Sequence, residues 1–140
     1  MTFLLICLGA LPFVLGWALN WVMLTWQNTL PPLLLIALLF LLVWGLIAFL
    51  ARPRTKSTAA VILPLNLIAF LVLLLLGVQE LILHAYWLNP VGWLTQFYYL
   101  TLLRVGFLLT GWTSSVFAAY CAAFLLMLAA SALGCKLRRD

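Results

Sequence analysis

Charge is what this sequence has least of. Its 140 residues carry seven Lys and Arg, two Asp and Glu and one His, so that 6% are charged. A soluble domain ordinarily carries about 25%. A water-facing surface is not built from so few, which excludes soluble folds and makes lipid the expected solvent for most of the chain. Histidine occurs once, as His84, so haem held by two histidines is excluded within the chain. Cys7, Cys121 and Cys135 lie far apart and form no CxxC pair, so neither paired-thiol redox chemistry nor a metal site has its ligands, and no cofactor is expected. No Lys or Arg precedes the first apolar run, so the N-terminus lacks the basic region of a cleaved signal peptide and is expected to remain as a helix.

What is present is apolar: 69% of residues are hydrophobic and the mean hydropathy is +1.30. The fold class this implies is an all-α integral membrane protein forming one membrane domain over 1–140, because each span needs about 20 apolar residues. The net charge of +5 gathers in two short clusters, Arg52, Arg54 and Lys56, and Lys136, Arg138 and Arg139. Nucleic-acid binding needs a longer basic surface than this. Clusters flanking apolar runs report orientation instead, since cytoplasmic loops are enriched in Lys and Arg.

Taken in order, a first span covers about 2–25. Pro12 is expected to kink it, and Trp17, Trp21 and Trp26 gather at its far end, where indole rings favour the headgroup level. A second span covers about 30–51, with Thr29 as N-cap and Pro31-Pro32 in its first turn. The loop 52–58 holds the first basic cluster and is placed in the cytoplasm. A third span covers about 59–84, capped by Ser57 or Thr58. Glu80 lies some 21 residues into it, about 30 Å by helical rise, so Glu80 and His84 are expected at the outer interface.

From Phe97 to Gly134 the chain is again apolar, and as one helix it would run about 57 Å, nearly twice the hydrocarbon thickness. The break is expected at Gly111-Trp112-Thr113-Ser114-Ser115. A fourth span then covers about 115–134, and the outer segment 85–114 forms an interfacial or re-entrant helix. Five spans would strand the basic tail outside and sink Arg104 toward mid-membrane, at about 2.5 to 3.5 kcal/mol. Four spans, with both termini cytoplasmic in a plasma or inner membrane, satisfy both signals. Ala118, Ala119, Ala122, Ala123, Ala130 and Gly134 recur at spacings of three and four and mark a helix-packing face, directed at the chain's own helices or at a partner.

One polar constellation stands out. Glu80 and His84, four apart, fall on one face of the third span, Gln79 neighbours that face, and Arg104 follows on the outer segment. A Glu80–Arg104 ion pair is the expected clasp between the two. Charges at membrane depth pair with one another and are functional candidates by default. Tyr98, Tyr99 and Trp112 are expected as interface anchors. No motif of a known small membrane family is present: the first span has no glutamate, and no span carries a lysine.

Three functions fit this inventory. The first is a non-catalytic subunit or assembly partner of a larger membrane complex, docking on other membrane subunits or on itself through small residues. The second is a small homo-oligomeric transporter or channel with a polar outer vestibule. The third is an outer-leaflet enzyme acting on a lipid-linked substrate, with Glu80 and His84 as acid and base.

Overall fold

The computed structural model describes residues 1–26 and 31–138. Over these residues the chain is helical, with no strand. Its helices are α1 (Thr2–Gly9), α2 (Leu11–Thr25), α3 (Leu33–Ala51), α4 (Ala59–Gly77), α5 (Pro90–Tyr98), α6 (Leu100–Leu109) and α7 (Val116–Leu137). Four stretches are long and apolar enough to cross a membrane: Thr2–Thr25, Leu33–Arg54, Ala59–Ile82 and Val116–Leu137.

The first stretch bends at Ala10, where α1 meets α2. Pro12 has no N–H for the carbonyl four residues back, and its ring crowds that carbonyl. Ala10 and Phe13 respond by bonding three residues back, to Cys7 and Ala10 at 3.1 Å each. The expected helix start at Pro31-Pro32 moves forward. Both prolines precede α3, which begins at Leu33, because a residue followed by proline is driven out of helical geometry. The expected Thr29 cap lies outside the described residues.

α3 closes in a 3₁₀ turn over Arg52–Arg54 around Pro53. Thr55 Oγ1 donates to the Arg52 carbonyl at 3.0 Å, and Ser57 Oγ accepts the Ala60 N–H at 3.2 Å, capping α4. Because Cys135 packs on the Ala48 carbonyl and the Arg138 guanidinium sits 4.9 Å from the centre of the Phe49 ring, the C-terminal ends of α3 and α7 lie together. The two helices are therefore parallel. The 52–56 loop and the described end of the C-terminal cluster meet at one end of the bundle, here the basic end.

Gly45 and Gly134 make the parallel crossing possible. A Cβ on Gly134 would lie 2.0 Å from the Gly45 carbonyl oxygen, so the backbones touch with nothing between them. The small-residue face of α7 is used here, inside the molecule: Ala119, Ala123 and Gly134 are buried, and Ala118, Ala122 and Ala130 half-buried. α7 packs on α3, α6 and α4, while α1 packs on α4.

α5 and α6 insert between the long helices. α5 packs on α2 and α4, and α6 on α7, α3 and α2. Gly16 admits α5, since a Cβ there would lie 1.8 Å from the Phe97 carbonyl oxygen. The joint between them, Tyr98-Tyr99, is buried in the core with Trp44, Leu65, Leu76, Leu102 and Met127. That overturns the expectation of interface anchors. Tyr98 Oη donates to the Gly9 carbonyl at 2.7 Å and Tyr99 Oη to the Ala69 carbonyl at 2.6 Å. The Gly9 carbonyl is open because Phe13 bonds to Ala10 instead, so the Pro12 bend and the Tyr98 hydroxyl complete one another. Trp112, by contrast, is 84% exposed.

Candidate functional site

The site is assembled where α4 stops. Beyond Gly77 the helix widens into a π-helical turn, Val78–Ile82, with the Leu83 N–H bonding five residues back to Val78. The Ala85 N–H then reaches six residues back to the Gln79 carbonyl, and His84 between them has φ of 50°. His84 thus occupies the left-handed position that commonly terminates helices, usually filled by Gly or Asn. A histidine there costs about 1 kcal/mol.

This corrects the expected alignment of Glu80 and His84. A four-residue spacing shares a face only while the α-helix continues. The π turn and the reversal at His84 end that register, and the His84 side chain stands exposed.

Glu80 is half-buried and faces two hydroxyls. Ser115 Oγ donates to Glu80 Oε1 at 2.6 Å, and Tyr86 Oη donates to Oε2. Ser115 is the N-cap residue of α7, so the carboxylate sits at the positive end of that helix, where the macrodipole favours an anion. Burial, and then the bond to Glu80, push the Tyr86 phenol above its usual range.

The expected Glu80–Arg104 clasp does not form. Glu80 is the only described side-chain carboxylate, and its oxygens are taken by Tyr86 and Ser115. Arg104 lies exposed on α6, whose buried residues are Thr101, Leu102 and Gly106. What joins the α4 end to the rest of this end is two hydroxyls and a glutamine.

Gln79 is fully buried. Its Nε2 donates to Thr95 Oγ1 at 3.2 Å, and its Oε1 accepts the Trp87 N–H at 3.0 Å. Thr95 Oγ1 donates to the Gly92 carbonyl at 2.8 Å, and Asn89 Oδ1 accepts the Gly92 N–H at 2.8 Å, capping α5. A buried amide left unpaired would cost a few kcal/mol, so these bonds fix the path from α4 into α5.

A second buried polar group centres on Asn66. Asn66 Nδ2 donates to Ser131 Oγ at 3.1 Å and to the Ile62 carbonyl at 2.9 Å, and its Oδ1 accepts the Trp44 indole N–H at 3.2 Å. Trp44, Asn66 and Ser131 lie six or seven residues from the basic ends of α3, α4 and α7 (51−44, 66−59, 137−131). Equal depth from those ends is the signal that would have found them. Thr101 Oγ1, also buried, has no partner; it lines a groove of about 460 Å³ between α2 and α3.

Chemically the arrangement holds itself together more than it acts. The carboxylate is held by two hydroxyls, the buried amides are satisfied, and His84 stands apart. Among the described residues no three His, Cys, Asp or Glu side chains converge as metal ligands. No family model matches the chain, and neither does any curated protein or solved structure.

Proposed function

We propose that this chain is a four-span integral membrane protein that acts as a non-catalytic subunit or assembly partner of a larger membrane complex. The basic end faces the cytoplasm, with both termini there, because Lys and Arg are retained on that side. The Glu80 end faces outward. α5 and α6 form a re-entrant wedge from the outer side. Helix α4 and its π turn span Ala59–Ile82, and Ala69 is ten residues, about 15 Å, from its start, near the middle of a 30 Å core. The Tyr99 bond to Ala69 therefore supports a wedge tip at mid-bilayer. Backbone breaks at that depth are tolerated where protein buries them.

The observation that carries the reading is the closed hydrogen bonding of Gln79 and Glu80 by Thr95, Trp87, Tyr86 and Ser115. A transport path or catalytic centre keeps polar groups open to a substrate; these are committed to holding the outer cap on the bundle. Between this cluster and Asn66, α4 runs apolar from Leu67 to Val78, so the two polar levels are not joined along that helix. Purification in mild detergent with mass measurement tests the proposal. A defined hetero- or homo-complex is expected, and a monodisperse monomer with no co-purifying protein would sink it.

A second reading, a homo-oligomeric transporter or channel, is favoured by one observation. Thr101 holds a buried hydroxyl without a partner beside an apolar groove. It requires solute flux in liposomes that falls in Thr101→Val.

A further inference from the structure

We propose that the groove between α3 and α7 binds an anionic phospholipid of the cytoplasmic leaflet, with an acyl chain along the groove and the phosphate at Arg138 and Lys136. The proposal rests on the membrane orientation given above. The groove has a volume of about 700 Å³. Its walls are large, including Leu38, Leu42 and Leu133, and its floor is Gly45, Ala130 and Gly134. The shape follows from the crossing. The helices meet through glycine backbone, and the leucines on either side are left standing as walls above that contact.

The occupant is indicated by length, position and charge. Along α3 the groove runs from Leu38 to Phe49, eleven residues or about 16 Å, which is half of a 30 Å core and so one leaflet of acyl chain. On α7 it runs from Leu126 to Leu137, the half of that helix nearest the basic end, while on α3 it is centred. Phe49 lines it, and Arg138 lies over the Phe49 ring at 4.9 Å, so a guanidinium is held at its mouth. Lys136 lies exposed two residues earlier. Arg52, three residues past Phe49, keeps a buried Nε without a partner. Glu80, the only described carboxylate side chain, is committed at the opposite end. Cationic recesses between spanning helices on the cytoplasmic side are suited to anionic headgroups. A partner's helix fits less well. Close helix docking uses exposed small residues, and Gly45 and Gly134 already face one another.

Native mass spectrometry of the purified chain, offered phosphatidylglycerol and phosphatidylcholine with identical acyl chains, tests the inference. One retained phosphatidylglycerol per chain is expected, in preference to phosphatidylcholine. The double variant Arg138→Gln, Lys136→Gln should lose that preference by roughly twenty-five-fold, at about fivefold per surface cation. Ala130→Trp, which fills the floor, should lose both lipids. Equal retention of the two lipids, a preference unchanged in the double variant, or a co-purifying protein seated in place of lipid would each overturn it. Alkaline carbonate extraction separates this failure from that of the membrane reading. A chain that stays in the membrane pellet without lipid preference refutes the lipid site alone; an extracted chain refutes the membrane insertion on which it depends.

Discussion

At the Glu80 end, polarity is handled by irregular backbone. A π turn, a left-handed histidine and two short helices bring Tyr86, Trp87, Thr95 and Ser115 onto Gln79 and Glu80. Toward the basic end, Asn66 is met by Trp44 and Ser131 from helices that stay regular across it, and glycine brings two backbones into contact. The first arrangement uses loops to deliver donors to fixed acceptors. The second uses matched depth on preformed helices. In lipid, polar groups must be satisfied within the protein, and these are two routes to that end.

Glycine contacts exist in both regions and give the largest expected effects. Gly134→Ala places a Cβ 2.0 Å from the Gly45 oxygen, and Gly16→Ala places one 1.8 Å from the Phe97 oxygen. Each should destabilise by about 3 kcal/mol in denaturant titrations followed by circular dichroism, since backbone must move in both. The comparison is broken if either is tolerated. Glu80→Ala comes next. It strands the Tyr86 and Ser115 hydroxyls and should cost about 1.5 to 3 kcal/mol, with faster hydrogen exchange over 83–89. Arg104→Ala should stay within about 0.5 kcal/mol, as an exposed residue outside the clasp. Equal losses in the two variants would restore the ion pair.

Asn66→Leu should cost less, about 0.6 to 1.7 kcal/mol, between the average and the maximum found for hydrogen bonds between membrane helices. Ser131 keeps its own bonds to Met127 and Leu128, so the Trp44 indole is the main group left without a partner. One expected effect is a gain. His84→Gly should stabilise by up to about 1 kcal/mol, because glycine takes the left-handed conformation freely, whereas His84→Val should destabilise. A stabilising valine would show that the reversal at His84 is not held in the folded protein.

Much of the long-helix plan was legible because it depends on length and composition. Uncharged runs of about 20 residues announce spans, Pro12 announces the bend, and Gly111 to Ser115 announces the break before α7. The candidate site was less legible because its partners are distant in sequence. Ser115 is 35 residues from Glu80, and nothing between them marks the approach. Arg104 drew attention by opposite charge alone, and charge does not say which way a side chain points. The alignment expected of Glu80 and His84 fails because a π turn leaves no periodic signature. Tyr98 and Tyr99 were placed at the interface because aromatic residues favour it; their burial follows from Gly16 and the open Gly9 carbonyl, which only the packed structure brings to them.

Because α3 and α7 run parallel, α5 and α6 enter and leave on one side. Cysteine labelling in intact cells tests it most directly, in a background with Cys7, Cys121 and Cys135 replaced by alanine. A membrane-impermeant maleimide should label Ser114→Cys from outside and should reach Lys56→Cys and Arg138→Cys only after the membrane is opened. Labelling of Arg138→Cys from outside, with Lys56→Cys still protected, would mean that the wedge spans the membrane and would contradict the account.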